Sequence, residues 1–436
     1  MAATQRSGRG RECLDRSELA KFVSGGHQDI SQGVVQWLKA HLPAGWVEAV
    51  EGCDATSLQE LRRHLDVEKF RVELGEAGLN TSSWPTNYFG LGFEPELADL
   101  VENVLDGFQL PRRVDFIGKS LAGATILQWG TEEQKQHFLY GLATGRDLWC
   151  QLFSEPSSGS DLASLATRAV RNGDAWVVNG QKVWSSLADL ADYGLLLART
   201  DPDQPKHRGI TYFIVDMHAR GVQARPLRQM TGQADFNEVF LTDVLVPDTR
   251  RLGPVDEGWR VSTTTLGHER SGLSRLVGWG GGDVGRTIQE AKANGRWDDL
   301  VLRDRLVRLL IEERILGMTN QRIQSAERSG RLLGPEASIT KLFQSTLFQR
   351  VANAALDGQG MAALAKIGER PSDGGDGGDA EVQDRDCQYR FLSSRSQTIL
   401  GGTSEIQRNI IGERALGLQK EPDPWKGQPW REIPRN

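Results

Sequence analysis

The chain has 436 residues, a formal net charge of −6 at pH 7 and 38% hydrophobic residues, which is ordinary for a soluble globular protein. The acidic balance argues against nucleic acid as a main partner, since a phosphate backbone selects a basic surface. No apolar run approaches the roughly 18 residues that a membrane-spanning helix needs. The four cysteines are too scattered for disulfides and the seven histidines lack metal-ligand spacing, so we expect a cytoplasmic protein without a metal site.

The first two predicted segments are a terminus and a helical domain. Residues 1–30 mix basic, acidic and small side chains without an apolar core, which predicts a disordered or frayed terminus rather than a secretory signal. From 31 to 146, apolar residues recur at helical spacing and predict a helical domain. The stripes consist of Val35, Leu38 and Leu42, then Leu58, Leu61, Leu65 and Phe70, then Leu97, Leu100, Val101 and Val104.

Residues 147–255 change to short β-rich runs with frequent turn residues, which predict an antiparallel barrel or sandwich. Two of the predicted strands are Ala175–Val178 and Lys182–Trp184. The Asn179-Gly180-Gln181 segment between them carries a strong hairpin signal and predicts a turn. No Gly-x-Gly-x-x-Gly follows a strand here, so a Rossmann nucleotide site is not indicated.

Residues 256–436 return to helical periodicity, for example at Leu302, Leu306 and Leu309, and predict a C-terminal helical bundle. Within this segment, 371–386 is acidic and glycine-rich with almost nothing to bury, which predicts a mobile surface loop. A final helix is predicted from Thr403 to Leu418. The predicted order along the chain is therefore helical, then β, then helical.

Four short motifs stand in this framework. They are Cys150 to Asp161, Gly180 to Ser186, Phe236 to Phe240 and Gly402 to Arg408. In this order they closely resemble the acyl-CoA dehydrogenase family, over about residues 34 to 418. The resemblance implies the fold of that family, with an N-terminal helical domain, a middle antiparallel β-barrel, a C-terminal four-helix bundle and FAD between them.

The first motif, Phe153-Ser154-Glu155-Pro156-Ser157-Ser158-Gly159-Ser160-Asp161, can face a ligand. Pro156 and Gly159 interrupt the strand, so backbone amides and serine hydroxyls are available as neutral hydrogen-bond donors. Taken alone, the motif is also explained by a polar turn between two strands. The resemblance implies that Ser154 and Ser186 bond the flavin ring and that Trp184 packs on it. The full predicted cofactor set is Gln151, Phe153, Ser154, Ser160, Trp184, Ser185, Ser186, Arg296, Thr403 and Glu405.

Removal of a weakly acidic Cα proton from a thioester requires a carboxylate held in hydrogen-bond reach. Many family members carry this Glu immediately before the Gly-Thr of the last motif, where this chain has Gly401. A minority place it on the first helix of the C-terminal domain, and Glu269 matches that position, so we predict Glu269 as the base. The alternative is a solvated helical Glu paired with an Arg. His268 is a weaker candidate because it points about 100° away around the helix.

The predicted substrate contacts are Ser160, Arg270, Gly401 and Gly402. Arg270 resembles a family arginine that lies close to CoA, although a surface salt bridge explains it as well. The Gly401 amide is expected to donate to the thioester carbonyl, as the family backbone does at this point.

Two motifs that grip the ADP half of FAD across a subunit interface depart from the family. The usual Arg-x-x-Phe-Gly is replaced by Asn294 to Asp299, and the usual Gln-x-x-Gly-Gly by Asp357 to Met361. Acidic residues near a pyrophosphate repel it. Either Arg296 and Trp297 replace the usual Arg and Phe, or a related partner chain supplies the missing contacts.

The predicted function is FAD-dependent dehydrogenation of an acyl-CoA to a trans-2-enoyl-CoA. The expected electron acceptor is electron-transfer flavoprotein, and the expected assembly is a homotetramer or a heterotetramer with a related chain. Two alternatives stay open: a non-catalytic or half-site subunit of a heteromeric dehydrogenase, and a flavin oxidase, monooxygenase or acyl-carrier-protein dehydrogenase on the same fold.

Overall fold

The computed structural model describes residues 27–52, 54–111, 116–275, 284–328, 335–364 and 387–434. The predicted loop 371–386 and most of the predicted frayed terminus 1–30 lie outside these residues. The chain divides into two compact units. The first unit contains Met1–Val114 and Glu132–Asp147, and the second contains Asp115–Thr131 and Leu148–Asn436.

The first unit is helical, as predicted. Its helices are α1 (His27–His41), α2 (Trp46–Glu51), α3 (Ala55–Arg63), α4 (Val67–Glu76), α5 (Pro95–Gly107) and, after α6 (Ala124–Trp129) of the second unit, α7 (Glu132–Thr144). Trp37, Trp46 and Phe70 lie in its buried core. The predicted stripe from Leu58 to Phe70 spans two helices, because the Asp66 carboxylate caps α4 by accepting from the Lys69 amide at 3.1 Å.

The second unit contains a seven-stranded sheet in the order β1-β4-β2-β3-β7-β6, with β5 paired to β4. Its strands are β1 (Trp149–Leu152), β2 (Arg168–Asn172), β3 (Ala175–Ser186), β4 (Tyr193–Arg199), β5 (Ile210–Asp216), β6 (Val222–Leu227) and β7 (Phe236–Pro247). Most pairings are antiparallel, as predicted, but β1 pairs with β4 in parallel. The β2–β3 hairpin lies in the connection between those two strands, which makes the connection long enough for a parallel crossover.

The predicted turn at Asn179-Gly180-Gln181 is wrong. Strand β3 continues through it, with a register irregularity between Val178 and Gly180 opposite β7. The glycine is required there for a close approach, because a Cβ at Gly180 would overlap the side chain of Thr167 and lie 2.7 Å from its Cα. The Asn-Gly pair therefore marks a bulge inside a long strand. The turn between β2 and β3 instead contains Gly173, whose φ is 63°.

After the sheet the chain is helical again. Its helices are α8 (Gly258–Arg275), α9 (Val284–Ala293), α10 (Leu300–Arg328), α11 (Glu336–Gln359), α12 (Cys387–Ser393) and α13 (Ser404–Ile410). Leu302, Leu306, Leu347 and Val351 join α10 and α11 in one buried cluster. The four longest described helices after the sheet, α8 to α11, correspond to the predicted bundle. None of the helices within the described ranges is long and apolar enough to cross a membrane.

We predict that Gly180→Ala lowers the free energy of unfolding by about 1–3 kcal/mol, because the methyl group has no room beside Thr167. The control is Gly107→Ala at the end of α5, where a Cβ would meet nothing within 4 Å. That change is expected to leave stability equal or slightly higher. Urea unfolding of both variants measures the difference, and equal stabilities would contradict the close approach at Gly180.

Candidate active site

A buried ion pair supports the first motif. The Lys182 side chain on β3 is fully buried, and its Nζ donates to Glu155 Oε1 at 2.8 Å and to the Phe153 carbonyl at 3.0 Å. The Glu155 carboxylate also accepts from the backbone amides of Ala166 at 2.7 Å and Thr167 at 2.9 Å. One carboxylate thus joins the end of β1, the start of β2 and the middle of β3.

The electrostatics of this pair favour the charged carboxylate. Burial raises the pKa of Glu155, but the Lys182 ammonium and the two amides outweigh burial and hold that pKa below its usual range. Because the pKa is lowered in the folded state, the resulting stabilisation is present above the pKa of the unfolded carboxyl. It is lost as the pH falls through the folded-state pKa.

The first three motifs meet at the end of β3. The Val183 amide donates to the Ser154 carbonyl at 2.9 Å, and the Asn237 side chain on β7 donates to the Ser185 carbonyl at 3.3 Å. Between them, Trp184 has a φ of 61° and its side chain is 59% exposed. A left-handed backbone is unfavourable for a bulky residue and persists only where the surroundings enforce it, which is typical of functional sites.

Three polar atoms at this place have no hydrogen-bond partner among the described residues. They are Gln151 Nε2 on β1, Ser185 Oγ on β3 and Asn237 Oδ1 on β7, and all three are buried. Buried polar atoms are normally paired. Unpaired donors and acceptors beside an exposed indole fit a flat ligand with polar edges, such as a flavin ring.

A chain of contacts joins this motif to helix α8. The Phe153 ring lies edge-on to Tyr212, with ring centres 5.8 Å apart, and the Tyr212 hydroxyl is 3.1 Å from Thr265 Oγ1. Burial raises the pKa of Tyr212 above its usual value, so the hydroxyl stays protonated. Glu269 follows Thr265 by four residues on the same helix face, about 6 Å further along α8. Its side chain is half-buried, whereas that of His268 is exposed.

The last motif forms a loop before α13. Gly401 and Gly402 both have left-handed backbones, with φ of 62° and 90°. The buried Gln407 side chain donates to both of their carbonyls at 3.3 Å, and Thr403 caps α13 by accepting from the Ile406 amide at 3.2 Å. A Glu at position 401 would have to adopt the left-handed conformation, which is unfavourable for residues other than glycine.

Lys341 on α11 lies between this loop and α8. Its Nζ donates to the Gln397 carbonyl at 2.6 Å, four residues before Gly401. Burial lowers the pKa of Lys341 to about 8, and the Glu269 carboxylate acts in the opposite direction. The charge of Glu269 therefore acts on an ammonium that bonds the segment before Gly401. Helix α8, which carries Glu269, is connected to the first motif through the contacts of Thr265, Tyr212 and Phe153.

Comparison with known proteins decides the family. The chain matches the family models for the N-terminal domain of acyl-CoA dehydrogenases over residues 47–146, the middle domain over 150–244 and the C-terminal domain over 256–416. The chain belongs to the acyl-CoA dehydrogenase family. Members of this family are FAD-dependent oxidoreductases, and the unpaired polar atoms at the end of β3 fit that cofactor.

Similar proteins include several from mycobacteria. Acyl-CoA dehydrogenase IpdE1 of Mycobacterium tuberculosis is 34% identical over 405 residues, which cover 90% of this chain and 99% of that protein. Acyl-CoA dehydrogenase FadE34 of the same organism is 40% identical over 82% of this chain, but the chain spans only 47% of its length. A solved structure named Tcur3481-Tcur3483 steroid ACAD is 27% identical, with a TM-score of 0.71 over 91% of this chain and 98% of that chain.

In this acyl-CoA dehydrogenase chain, the structure groups some predicted site residues and separates others. Gln151, Phe153, Ser154, Trp184, Ser185 and Ser186 lie together at the ends of β1 and β3. Ser160 is exposed in the turn that follows. Glu405 is exposed and bonds Arg408 at 3.1 Å. The Arg270 side chain lies outside the described residues.

The two degenerate ADP motifs meet in the structure. Asn294 Nδ2 donates to the Gly358 carbonyl at 3.1 Å, which joins the end of α9 to the end of α11. Arg296 is bonded to Asp299 at 3.2 Å, and Arg305 to Asp357 at 2.6 Å. Two of the three acids in these segments, Asp299 and Asp357, therefore have an arginine partner in the same chain.

Several residues that build the candidate site were not predicted from the sequence. Glu155, Lys182 and Gln407 stand inside the quoted motifs, but nothing in a sequence shows that they bond to each other or to backbone. Tyr212, Thr265 and Lys341 lie outside the motifs. A mostly apolar strand that contains a single Tyr, and a helix that contains a single Lys, are the signals that point to Tyr212 and Lys341.

We predict that Lys182→Met lowers the free energy of unfolding by about 3–5 kcal/mol, because it leaves the Glu155 carboxylate buried without its cation. Bound FAD is expected to be lost as well, since Ser154 and Trp184 flank the pair. The control is the double variant Glu155→Leu/Lys182→Met, which removes both charges and is expected to recover much of the stability. Urea unfolding and flavin absorbance measure both effects, and a double variant no more stable than the single one would contradict this account.

Proposed function

We propose that the chain catalyses α,β-dehydrogenation of an acyl-CoA thioester with Glu269 as the base. The observation that carries the proposal is the position of Glu269. Glu269 lies one helical turn from Thr265, which the Tyr212 contact joins to Phe153 of the first motif, and its charge acts on Lys341, which bonds the segment that leads to Gly401. Because Gly401 offers no carboxylate, we assign the role of the base to Glu269.

Each residue then has a defined task. Glu269 accepts the Cα proton, and the Gly401 amide donates to the thioester carbonyl, where negative charge develops. FAD, held by the residues at the ends of β1 and β3, would supply the acceptor for the Cβ hydride, and the product would be a trans-2-enoyl-CoA. Entry of the acyl chain displaces water from around Glu269, which raises its pKa and makes it a stronger base. Electron-transfer flavoprotein is the proposed acceptor of the two electrons.

The proposed substrate is a bulky acyl-CoA. The minority of the family that places the base on this helix, rather than in the 401 loop, includes enzymes that act on branched or long acyl chains. The name of the solved steroid dehydrogenase supports a steroid side-chain thioester. A panel of straight, branched and steroid side-chain acyl-CoA thioesters, scored by the rate of flavin bleaching, identifies the best substrate.

We expect Glu269→Gln to retain bound FAD and to lose bleaching by at least ~100-fold, because the amide cannot accept the Cα proton. Anaerobic stopped-flow absorbance of the flavin with the best acyl-CoA of the panel measures this rate. The matched control is Glu257→Gln, at an exposed Glu just before α8 that pairs only with Arg260 among its described salt-bridge partners, at 3.3 Å. Bleaching at the wild-type rate by Glu269→Gln would exclude Glu269 as the base.

The two other chemistries on this fold are distinguished by the same preparation. Rapid reaction of the substrate-reduced flavin with oxygen indicates an oxidase or monooxygenase. Bleaching by an acyl-carrier-protein thioester, but not by the acyl-CoA of the same acid, indicates a carrier-protein dehydrogenase. A dehydrogenase is expected to react slowly with oxygen and to accept the CoA thioester.

A second candidate function is a subunit of a heteromeric dehydrogenase. The observation that favours it is the occupation of the ADP-contact segments by local ion pairs, Arg296 with Asp299 and Arg305 with Asp357. Arginines that neutralise neighbouring acids are poor donors to the pyrophosphate of an adjacent subunit. In this form, the chain holds FAD with its own β1 and β3 but relies on a related chain for the ADP contacts.

Helix α10 carries a surface suited to such a partner. Val307, Ile311, Ile315 and Met318 lie on one face of α10 and are between 42% and 63% exposed. Contiguous exposed apolar patches are rare on monomeric proteins and mark contact surfaces. We propose that this α10 stripe packs against a second dehydrogenase chain, either related or identical.

We predict that Ile311→Glu/Ile315→Glu lowers both the assembly mass and the FAD content, because charge on the α10 stripe prevents association and leaves the ADP half of FAD without its partner contacts. Light scattering after size exclusion and flavin absorbance measure the two quantities. Leu245→Glu on β7, at a side chain with 61% exposure, is the control and is expected to change neither. An unchanged assembly mass would place the interface elsewhere.

A further inference from the structure

The proposed reaction assigns no task to Lys341. Its ammonium is half-buried on α11 and donates to Ser345 Oγ at 2.8 Å and to the Gln397 carbonyl at 2.6 Å. The buried Ser345 hydroxyl is itself anchored, since it donates to the Lys341 carbonyl at 2.6 Å. The ammonium is therefore held in one position by neutral groups, although burial disfavours its charge.

The Gln397 carbonyl belongs to the segment that leads into the Gly401 loop. The amides of Ile399 and Leu400 both return to the Ser396 carbonyl at 2.9 Å, so the backbone turns tightly here. Another side chain of α11, that of Gln349, donates to the Ser394 carbonyl at 3.2 Å. Side chains from α11 thus fix the path of the backbone toward Gly401, and Lys341 is the charged one among these two.

The charge of the proposed base also acts on Lys341. Helix α8 packs against α11, and the Glu269 carboxylate raises the pKa of Lys341 against the larger, opposite effect of burial. An ammonium has three hydrogens. Ser345 and Gln397 take two of them in the described bonds.

We propose that Lys341 is a positioning residue for the dehydrogenation, and that its ammonium holds the Glu269 carboxylate in register with the Gly401 amide. This inference rests on the proposed function. The proton acceptor and the carbonyl donor must face the same thioester from different segments, α8 and the 401 loop. Lys341 is the side chain that bonds one of these segments and attracts the other.

The Lys341 ammonium divides its hydrogen bonds between Ser345 and Gln397, and this arrangement suits a positioning residue. A close ion pair between Lys341 and Glu269 alone would stabilise the charged carboxylate so strongly that Glu269 would be a poor proton acceptor. An ammonium whose hydrogen bonds go to Ser345 and Gln397 attracts the carboxylate without removing its basicity. Positioning within a fraction of an ångström matters because misplacement of reacting groups by about 1 Å lowers rates by roughly 100-fold.

The test compares Lys341→Met with the wild type and with Lys420→Met, which removes an exposed tail lysine that lies 3.4 Å from Glu413. The probes are the best acyl-CoA of the panel and its 3-thia analogue. With sulfur at the β position, the analogue can lose its α proton but has no β hydride to transfer. It therefore reports proton abstraction alone, through the long-wavelength absorbance of its enolate against the oxidised flavin.

The expected result for Lys341→Met is wild-type FAD content and nearly unchanged KM, with kcat and the enolate absorbance both lowered about 10- to 100-fold. Lys341→Arg is expected to recover part of both, and Lys420→Met to match the wild type. If Lys341→Met does not fold, Lys341→Gln removes the charge while keeping a donor for Gln397, and the same criteria apply.

Two results would overturn the inference in different ways. Wild-type kcat and enolate absorbance in Lys341→Met, or Lys341→Gln, would exclude Lys341 as a positioning residue and leave the dehydrogenase standing. A wild-type flavin that none of the acyl-CoA thioesters bleaches would overturn the proposed function, and the role of Lys341 with it.

Discussion

The buried pair of Glu155 and Lys182 is the interaction on which the flavin side of the site depends. Its geometry joins three strands through one carboxylate and one ammonium, with 2.8 Å between the charged atoms. Removing two charges from water is costly, and only full hydrogen bonding compensates for it. Here the backbone amides of Ala166 and Thr167 and the Phe153 carbonyl complete that bonding. The proposed flavin contacts Ser154 and Trp184 lie one residue from Glu155 and two residues from Lys182, respectively.

The second constraint is the backbone at Gly401. Its left-handed conformation suits glycine, so the carboxylate that many relatives place there has no easy position in this loop. Helix α8 supplies one instead. The Tyr212–Thr265 hydrogen bond fixes α8 against β5, and Glu269 follows one turn later on the same face. The proposed site therefore combines the ends of β1 and β3, a helix that carries the proposed base and a loop whose backbone amide is the proposed donor to the thioester carbonyl.

The sequence predicted the family and the order of helical and β segments, because four spaced motifs and clear periodicities define them. The site residues that it named remain predictions. Its predictions were wrong or absent where the structure depends on contacts between residues that are distant along the chain. Asn179-Gly180 resembles a hairpin turn, yet the strand continues because Gly180 avoids Thr167. The parallel β1–β4 pairing and the Lys341 bond to Gln397 join residues distant along the chain, so no local pattern reports them. The sequence likewise did not show that Asp299 and Asp357 form ion pairs with Arg296 and Arg305.

The central claim is that Glu269, and no group in the 401 loop, takes the Cα proton. A crystal structure of the protein with FAD and the 3-thia analogue of its best acyl-CoA tests this most directly. The account predicts a Glu269 carboxylate oxygen within about 3–3.5 Å of the α carbon, with the Gly401 amide on the thioester oxygen. A Glu269 side chain turned away from the α carbon, with another acidic group in its place, would contradict it.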